Sequence, residues 1–142
     1  MHGQKELLVM DKTKQVIVIR KDLNMRKGKM IVQGAHASLK AVLDKLDLTL
    51  TSNTITTINT ISSIDPIFEW LNSGFTKIAV GVNSLEELKE IEQKAIANNI
   101  TVAKITDLGR TEFKGIPTVT ALAIGPDWIE KIDEITKHLQ LL

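Results

Sequence analysis

The chain has 142 residues, 43% hydrophobic and 25% charged, with 18 Lys+Arg against 17 Asp+Glu. That balance excludes disorder as the main state and predicts one compact domain over 1–142. Cysteine is absent, which excludes disulfides, thiolate zinc sites and a cysteine nucleophile and fits a reducing compartment, the cytoplasm. No run of about 18 apolar residues occurs and the start of the chain lacks a signal-peptide apolar segment, so neither a membrane span nor export is expected.

After an N-terminal extension, 1–13, the first regular signal is Gln15 to Arg20, QVIVIR, a continuous β-branched run that reads as a buried strand. From about Met25 to Leu46, the residues Ile31, Ala35, Leu39, Val42, Leu43 and Leu46 recur at helical spacing, which predicts a long amphipathic helix with that stripe as its apolar face. Positions 49 to 63 hold six Thr, three Ser and two Asn. Thr and Asn are poor helix formers, so 47–64 reads as an irregular or weakly helical polar excursion, with Ile55, Ile58, Ile61 and Ile64 recurring every third residue.

Asp65-Pro66 opens a short helix that reaches Asn72, and Lys77 to Val82, KIAVGV, is a second strand. Ser84 with Glu87 makes a capping box for a helix whose apolar face is Leu85, Leu88, Ile91, Ala95 and Ile96. Thr101 to Thr106 is a third strand, Val119 to Ile124 a fourth, and a closing helix runs from Pro126 through Ile129, Ile132, Ile135 and Leu139. This order predicts a layered α/β domain. At least three strands run parallel, and the fourth, joined to the third without a helix, runs antiparallel.

In such a sheet the loops leaving the carboxyl ends of the strands form the site. Three stretches converge there: Arg20 to Gln33, the loop Asp107-Leu108-Gly109-Arg110-Thr111, and the start of the fourth strand, which brings Thr118 and Thr120 near Asp107. Lys29, Gln33, His36 and Lys40 form one polar stripe on the long helix. His36, between Ala35 and Ala37 and further from the edge, reads first as a packed, hydrogen-bonded residue. Trp70 and Trp128 read as packing residues, and Met25 and Met30 as gap fillers.

The net charge of +1 says nothing of nucleic acid, but Lys14, Arg20, Lys21, Arg26, Lys27 and Lys29 cluster with only Asp22 among them. Such a cluster attracts a polyanion in a salt-dependent way. No phosphate-binding GxxxxGK[ST], dinucleotide GxGxxG after a strand, esterase GxSxG or zinc HExxH pattern is present.

Two long motifs carry a resemblance. Val16 to Ala37, VIVIRKDLNMRKGKMIVQGAHA, and Thr106 to Pro126, TDLGRTEFKGIPTVTALAIGP, are similar to the signatures of the archaeal and eukaryotic type of peptidyl-tRNA hydrolase, and the likeness runs over nearly the whole chain from about Lys14. The resemblance implies a three-layer α/β/α sandwich with a four-stranded mixed sheet, its fourth strand antiparallel. It implies hydrolysis of the ester between a peptide and the terminal ribose of tRNA, without metal or cofactor. Lys29, Asp107, Thr118 and Thr120 fall on the catalytic positions. Arg110 and Thr111 fall in the supporting loop and, with Arg20, Lys21, Lys27, Gln33 and His36, face the tRNA. The partner expected is therefore tRNA and no membrane, with a homodimer left open.

Two departures stand out. Lys114-Gly115-Ile116-Pro117-Thr118 holds one extra residue relative to the family's Pro-Gly-Thr, and the Thr-rich excursion is longer by about a dozen residues, as surface loops tolerate. Ester hydrolysis needs an activated water and a stabilised oxyanion. Asp107 is expected to orient and partly deprotonate the water, either with a pKa raised by burial or by position alone. Lys29 is expected on the carbonyl oxygen or a nearby phosphate. A catalytically silent RNA- or protein-binding module on the same fold is the alternative.

Overall fold

The computed structural model describes residues 12–57 and 60–142. Its strands are β1 (Thr13–Arg20), β2 (Leu48–Leu50), β3 (Ile55–Thr57), β4 (Lys77–Val82), β5 (Val102–Asp107), β6 (Thr118–Trp128) and β7 (Gln140–Leu141). Its α-helices are α1 (Lys27–Leu46), α2 (Pro66–Ser73), α3 (Leu85–Ala97) and α4 (Ile129–Thr136). The main sheet has the order β5-β6-β1-β4-β7. β1 and β4 pair in parallel, whereas β6 runs antiparallel to both of its neighbours, β1 and β5, as expected for the fourth predicted strand.

The sheet has five strands rather than four. Gln140 and Leu141 add β7 against Gly81 and Val80, and a two-residue strand is too short to leave an alternating signal in sequence. β6 also continues through Trp128, so α4 starts at Ile129 and not at Pro126. The Thr-rich stretch corrects the expectation of an irregular or weakly helical excursion: β2 and β3 pair as an antiparallel hairpin, in keeping with the strand preference of β-branched Thr. Ile55 and Ile64 are exposed and do not dock on the core; Ile58 and most of the N-terminal extension lie outside the described residues.

Helices cover both faces of the sheet. On one face Val16, Val18, Val80, Leu122 and Ile124 pack with Leu88 and Ile91 of α3 and Ile132 and Ile135 of α4. On the other, Ile19, Ala103, Ala121 and Ala123 pack with Met25 and with Ala37 and Ala41 of α1. Ser84 caps α3 as predicted, its Oγ accepting the Glu87 N–H at 3.1 Å, but Ile96 is exposed. Trp70 is a packing residue, as expected, with its ring N–H donating to the Thr76 carbonyl at 2.9 Å.

α1 departs most from its hydrophobic pattern. The predicted apolar face is open, with Ile31 72% and Leu39 59% exposed, and the buried side is Gln33, Gly34, Ala37, Ser38 and Ala41. Small residues let the helix lie close on the sheet: a Cβ on Gly34 would come 3.3 Å from Ile17 Cγ2. The contact is sealed by polar bonds. Ser38 Oγ donates to Gln15 Oε1 at 2.5 Å, and Gln15 Nε2 donates to the Ser38 carbonyl at 3.3 Å. Among the described residues no helix is long and apolar enough to cross a membrane.

Candidate active site

Three segments meet at the carboxyl edge of β1 and β5. The first is the link from β1 into α1. Arg20 donates from Nη1 to the Val119 carbonyl at 3.0 Å and from Nε and Nη2 to the Asp22 carboxylate at 3.1 and 2.6 Å, which ties the link to β6. α1 then opens on Lys27-Gly28-Lys29 with no acidic residue in its first turn and no side-chain cap. Cations at the positive end of a helix dipole are unfavourable, so the opening of α1 works against the helix and depends on acids from elsewhere.

Those acids come from the end of β5 and the loop that follows it. Lys29 Nζ donates to Asp107 Oδ1 at 2.9 Å and to Thr111 Oγ1 at 2.9 Å, and lies 5.9 Å from the centre of the Phe113 ring. Both charged side chains are only 14% exposed. Asp107 Oδ2 accepts the Gly109 N–H at 2.8 Å. Gly109 has φ +80°, and a Cβ there would fall 2.7 Å from the Ile116 backbone, so only glycine fits the turn that aims this N–H. Arg26 makes a further ion pair with Glu112 at 3.2 Å.

The Lys29 hydrogen bond holds the Asp107 carboxyl below the usual carboxylate range. Burial opposes this, and the Gly109 N–H and the nearby Lys29 and His36 charges reinforce it. Asp107 is thus an anion near neutrality, and the expectation of a base whose pKa is raised by burial does not hold; orientation is the role its charge fits.

The third segment is the start of β6. Thr118 stands opposite Asp107 in register, but its hydroxyl donates to the Ile116 carbonyl at 2.8 Å and not to either charged group. Thr120 is buried and donates to Gln33 Oε1 at 2.5 Å, one turn along α1 from Lys29. Lys29, Gln33, His36, Asp107, Arg110 and Thr111 line a cleft of about 280 Å³.

The structure therefore brings together Lys29, Asp107, Thr111, Gln33 and Thr120, with Arg110 and His36 on the cleft wall. His36 is exposed, which corrects its reading as a packed residue: it falls on the flank of α1 that faces β5 rather than on the buried side. Lys21 lies against Gly81 in a separate cavity with Glu87 and His138, and Lys27 borders an apolar groove on the opposite flank of α1. Arg20 is committed to Asp22 and Val119. Sequence reasoning placed Thr111 in a supporting role and missed its direct bond to Lys29. The signal was present in its position four residues after Asp107 across a glycine turn.

A family model described as Peptidyl-tRNA hydrolase PTH2 matches residues 13–142. The peptidyl-tRNA hydrolase of Methanocaldococcus jannaschii is 43% identical over 129 residues, covering 91% of this chain and 99% of its own. That of Sulfurisphaera tokodaii is 41% identical over 130 residues, covering 92% and 98%, and that of Nanoarchaeum equitans 40% over 129, covering 90% and 97%. A solved structure of a protein of unknown function from Agrobacterium tumefaciens shares the fold with a TM-score of 0.55 at 13% identity, over 94% of this chain and 99% of that one. On this match, and with a cation and an anion facing each other at the strand edge where its two motifs meet, the chain belongs to the PTH2 family of peptidyl-tRNA hydrolases.

Proposed function

We propose that the protein hydrolyses the ester that joins a peptide to the terminal ribose of tRNA. The observation that carries this reading is the Lys29–Asp107–Thr111 network, a half-buried charge pair in an open cleft on a chain of this family. A water adds to the ester carbonyl carbon while the carbonyl π pair moves to oxygen. The intermediate collapses by breaking the carbon–ribose oxygen bond. One proton of the water ends on the ribose oxygen, and the other is released as the peptide acid ionises.

Each residue of the network has a place in that sequence. The Asp107 carboxylate accepts a hydrogen bond from the attacking water and fixes its orientation, while Lys29 places a positive charge where the oxyanion develops. Thr111 and Asp107 together keep the ammonium aimed, so the site does not reorganise as charge builds. Arg110 and His36, exposed on the cleft wall, contact the tRNA phosphates near its acceptor end, and Lys27 and Lys21 extend the positive field beyond it. Residues 13–142 act as one hydrolase unit in the cytoplasm, where translation supplies the substrate.

The test is incubation with an N-blocked aminoacyl-tRNA and with the corresponding free N-blocked aminoacyl ester, at two salt concentrations. Release from tRNA that falls steeply with salt, with little release from the free ester, is expected. Binding of tRNA without release would identify a silent RNA-binding module instead.

The open flank of α1 supports a second copy of the chain as partner. Ile31, Leu39, Leu71, Phe75 and Leu142 border one continuous groove over Ile17 and Ala35. All five are at least 42% exposed, an open apolar face of the kind that the core of a protein–protein interface covers.

A further inference from the structure

We propose that Thr120 is a positioning residue that works through Gln33, turning the Gln33 carboxamide so that its N–H groups face the cleft beside Lys29 as donors to the oxyanion. This rests on the hydrolase reading above and extends it to a second electrophilic group.

Strand register decides which way Thr120 faces. Ile105 pairs with Ala121, but the next residue, Thr106, pairs with Val119, so Thr120 is an extra residue in β6 with no partner in β5. This is a β-bulge, and a bulge re-aims a side chain. In a regular strand Thr120 would lie on the face of Leu122, which packs under α3 and α4. Here Thr120 and Ala121 both face α1: Ala121 packs with Ala37 and Ala41, and Thr120 reaches Gln33. The bulge moves one hydroxyl from the closed side of the sheet to the side that holds the cleft.

That hydroxyl sets the orientation of the amide. Thr120 is 0% exposed, and its hydroxyl proton goes to Gln33 Oε1. With the carbonyl end of the carboxamide held, the Nε2 end is directed away from Thr120. Among the described residues Nε2 donates to no protein group, and the one fully buried side-chain polar atom without a partner is Thr13 Oγ1. Gln33 is only 2% exposed yet lines the cleft, so the small part of it that is open is the part with free N–H groups. Gln33 follows Lys29 by four residues on one helix face, so amide and ammonium stand side by side. A neutral amide donor beside a cation stabilises an oxyanion without adding a second charge to be desolvated in the free enzyme.

The experiment measures kcat and KM on N-blocked aminoacyl-tRNA for Thr120→Val, Thr120→Ser, Gln33→Met and the double variant Thr120→Val with Gln33→Met, with thermal melts to confirm that each folds. Gln33→Met is expected to lower kcat about 100-fold with KM within about twofold, the size of losing one oxyanion donor. Thr120→Val should match it in direction, Thr120→Ser should recover most of the rate, and the double variant should be no slower than Gln33→Met, because the two residues act as one unit. A slow Thr120→Val beside a fully active Gln33→Met would overturn the proposal by making Thr120 act directly, and multiplying losses in the double variant would separate the two residues. Should both single variants keep full rate while Lys29→Met is inactive, the donor pair fails and the hydrolase reading stands; an inactive wild type sinks that reading itself.

Discussion

The two flanks of α1 differ in nearly every physical respect. Towards β5 the helix presents Lys29, Gln33 and His36, each bonded to or facing a group on β5, β6 or the loop after β5. Towards β4 it presents Ile31, Ala35, Leu39 and Val42 to solvent over an uncovered strip of sheet. The apolar stripe does not fix the helix to the sheet; the close contact is made by the small residues Gly34, Ala37, Ser38 and Ala41, with Lys29 and Gln33 of the polar stripe adding bonds to β5 and β6. The contrast teaches that the largest apolar side chains of a helix need not mark its buried face. Where a backbone must come close, small residues are buried and the large ones are left for another surface.

The sharpest way to test this division is to remove charge from the polar flank. Lys29→Met is expected to cut turnover about 1000-fold, the upper range for a group that meets the oxyanion. Asp107→Asn should cost at least about tenfold, since the neutral amide neither holds Lys29 as firmly nor accepts from the water as strongly. Rates on N-blocked aminoacyl-tRNA, with melts to confirm folding, check both. Unchanged turnover in either variant would remove that residue from the chemistry.

This flank was legible in the sequence because it depends on residue types and order. A lysine in the first turn of a helix, an Asp-x-Gly turn after a strand and a following antiparallel strand are enough to predict that Lys29 and Asp107 meet. The bulge at Thr120 was not legible, since an extra residue in a strand has no periodic signature until its partner strand is known. Nor was β7, with two residues, or the hairpin Leu48–Thr57, where low helix propensity was read as irregularity while Thr equally favours a strand. The exposure of the apolar stripe of α1 was not legible for a related reason: helical periodicity reports an apolar face but not what covers it.

On the apolar flank the expected effect is on association rather than rate. Leu39→Glu places a charge in the centre of the groove, so it should weaken self-association by at least about tenfold, as burying an unpaired carboxylate is strongly unfavourable. Sedimentation over a concentration series reads the change, and hydrolysis should stay within about twofold of wild type. A wild type that is monomeric at every concentration would remove the second copy as the occupant of this face. A smaller effect belongs to the cleft rim. Arg110→Ala should raise KM a few-fold and reduce the slope of log affinity against log salt by about 1, the share of one phosphate contact.

The smallest effect is a dependence on pH that separates the flanks by stability alone. Asp107 has its pKa lowered on folding, chiefly by the Lys29 hydrogen bond. A group of this kind adds stability that is fully present above its unfolded value, about 3.9, and is lost as pH falls through the lower folded value. The difference in melting temperature between wild type and Asp107→Asn should therefore be constant from about pH 8 to 5 and shrink only below about pH 4. Leu39→Glu should give a different curve, because a carboxylate introduced on an apolar surface is least unfavourable when protonated, so its deficit relative to wild type should narrow as pH falls through the range of that new carboxyl, at or above about 4.3. If the stability of wild type relative to Asp107→Asn instead rose as pH fell from 7 to 5, the carboxyl would be titrating in the range of a raised pKa, and the role of a fixed anion that orients water would pass to a general base.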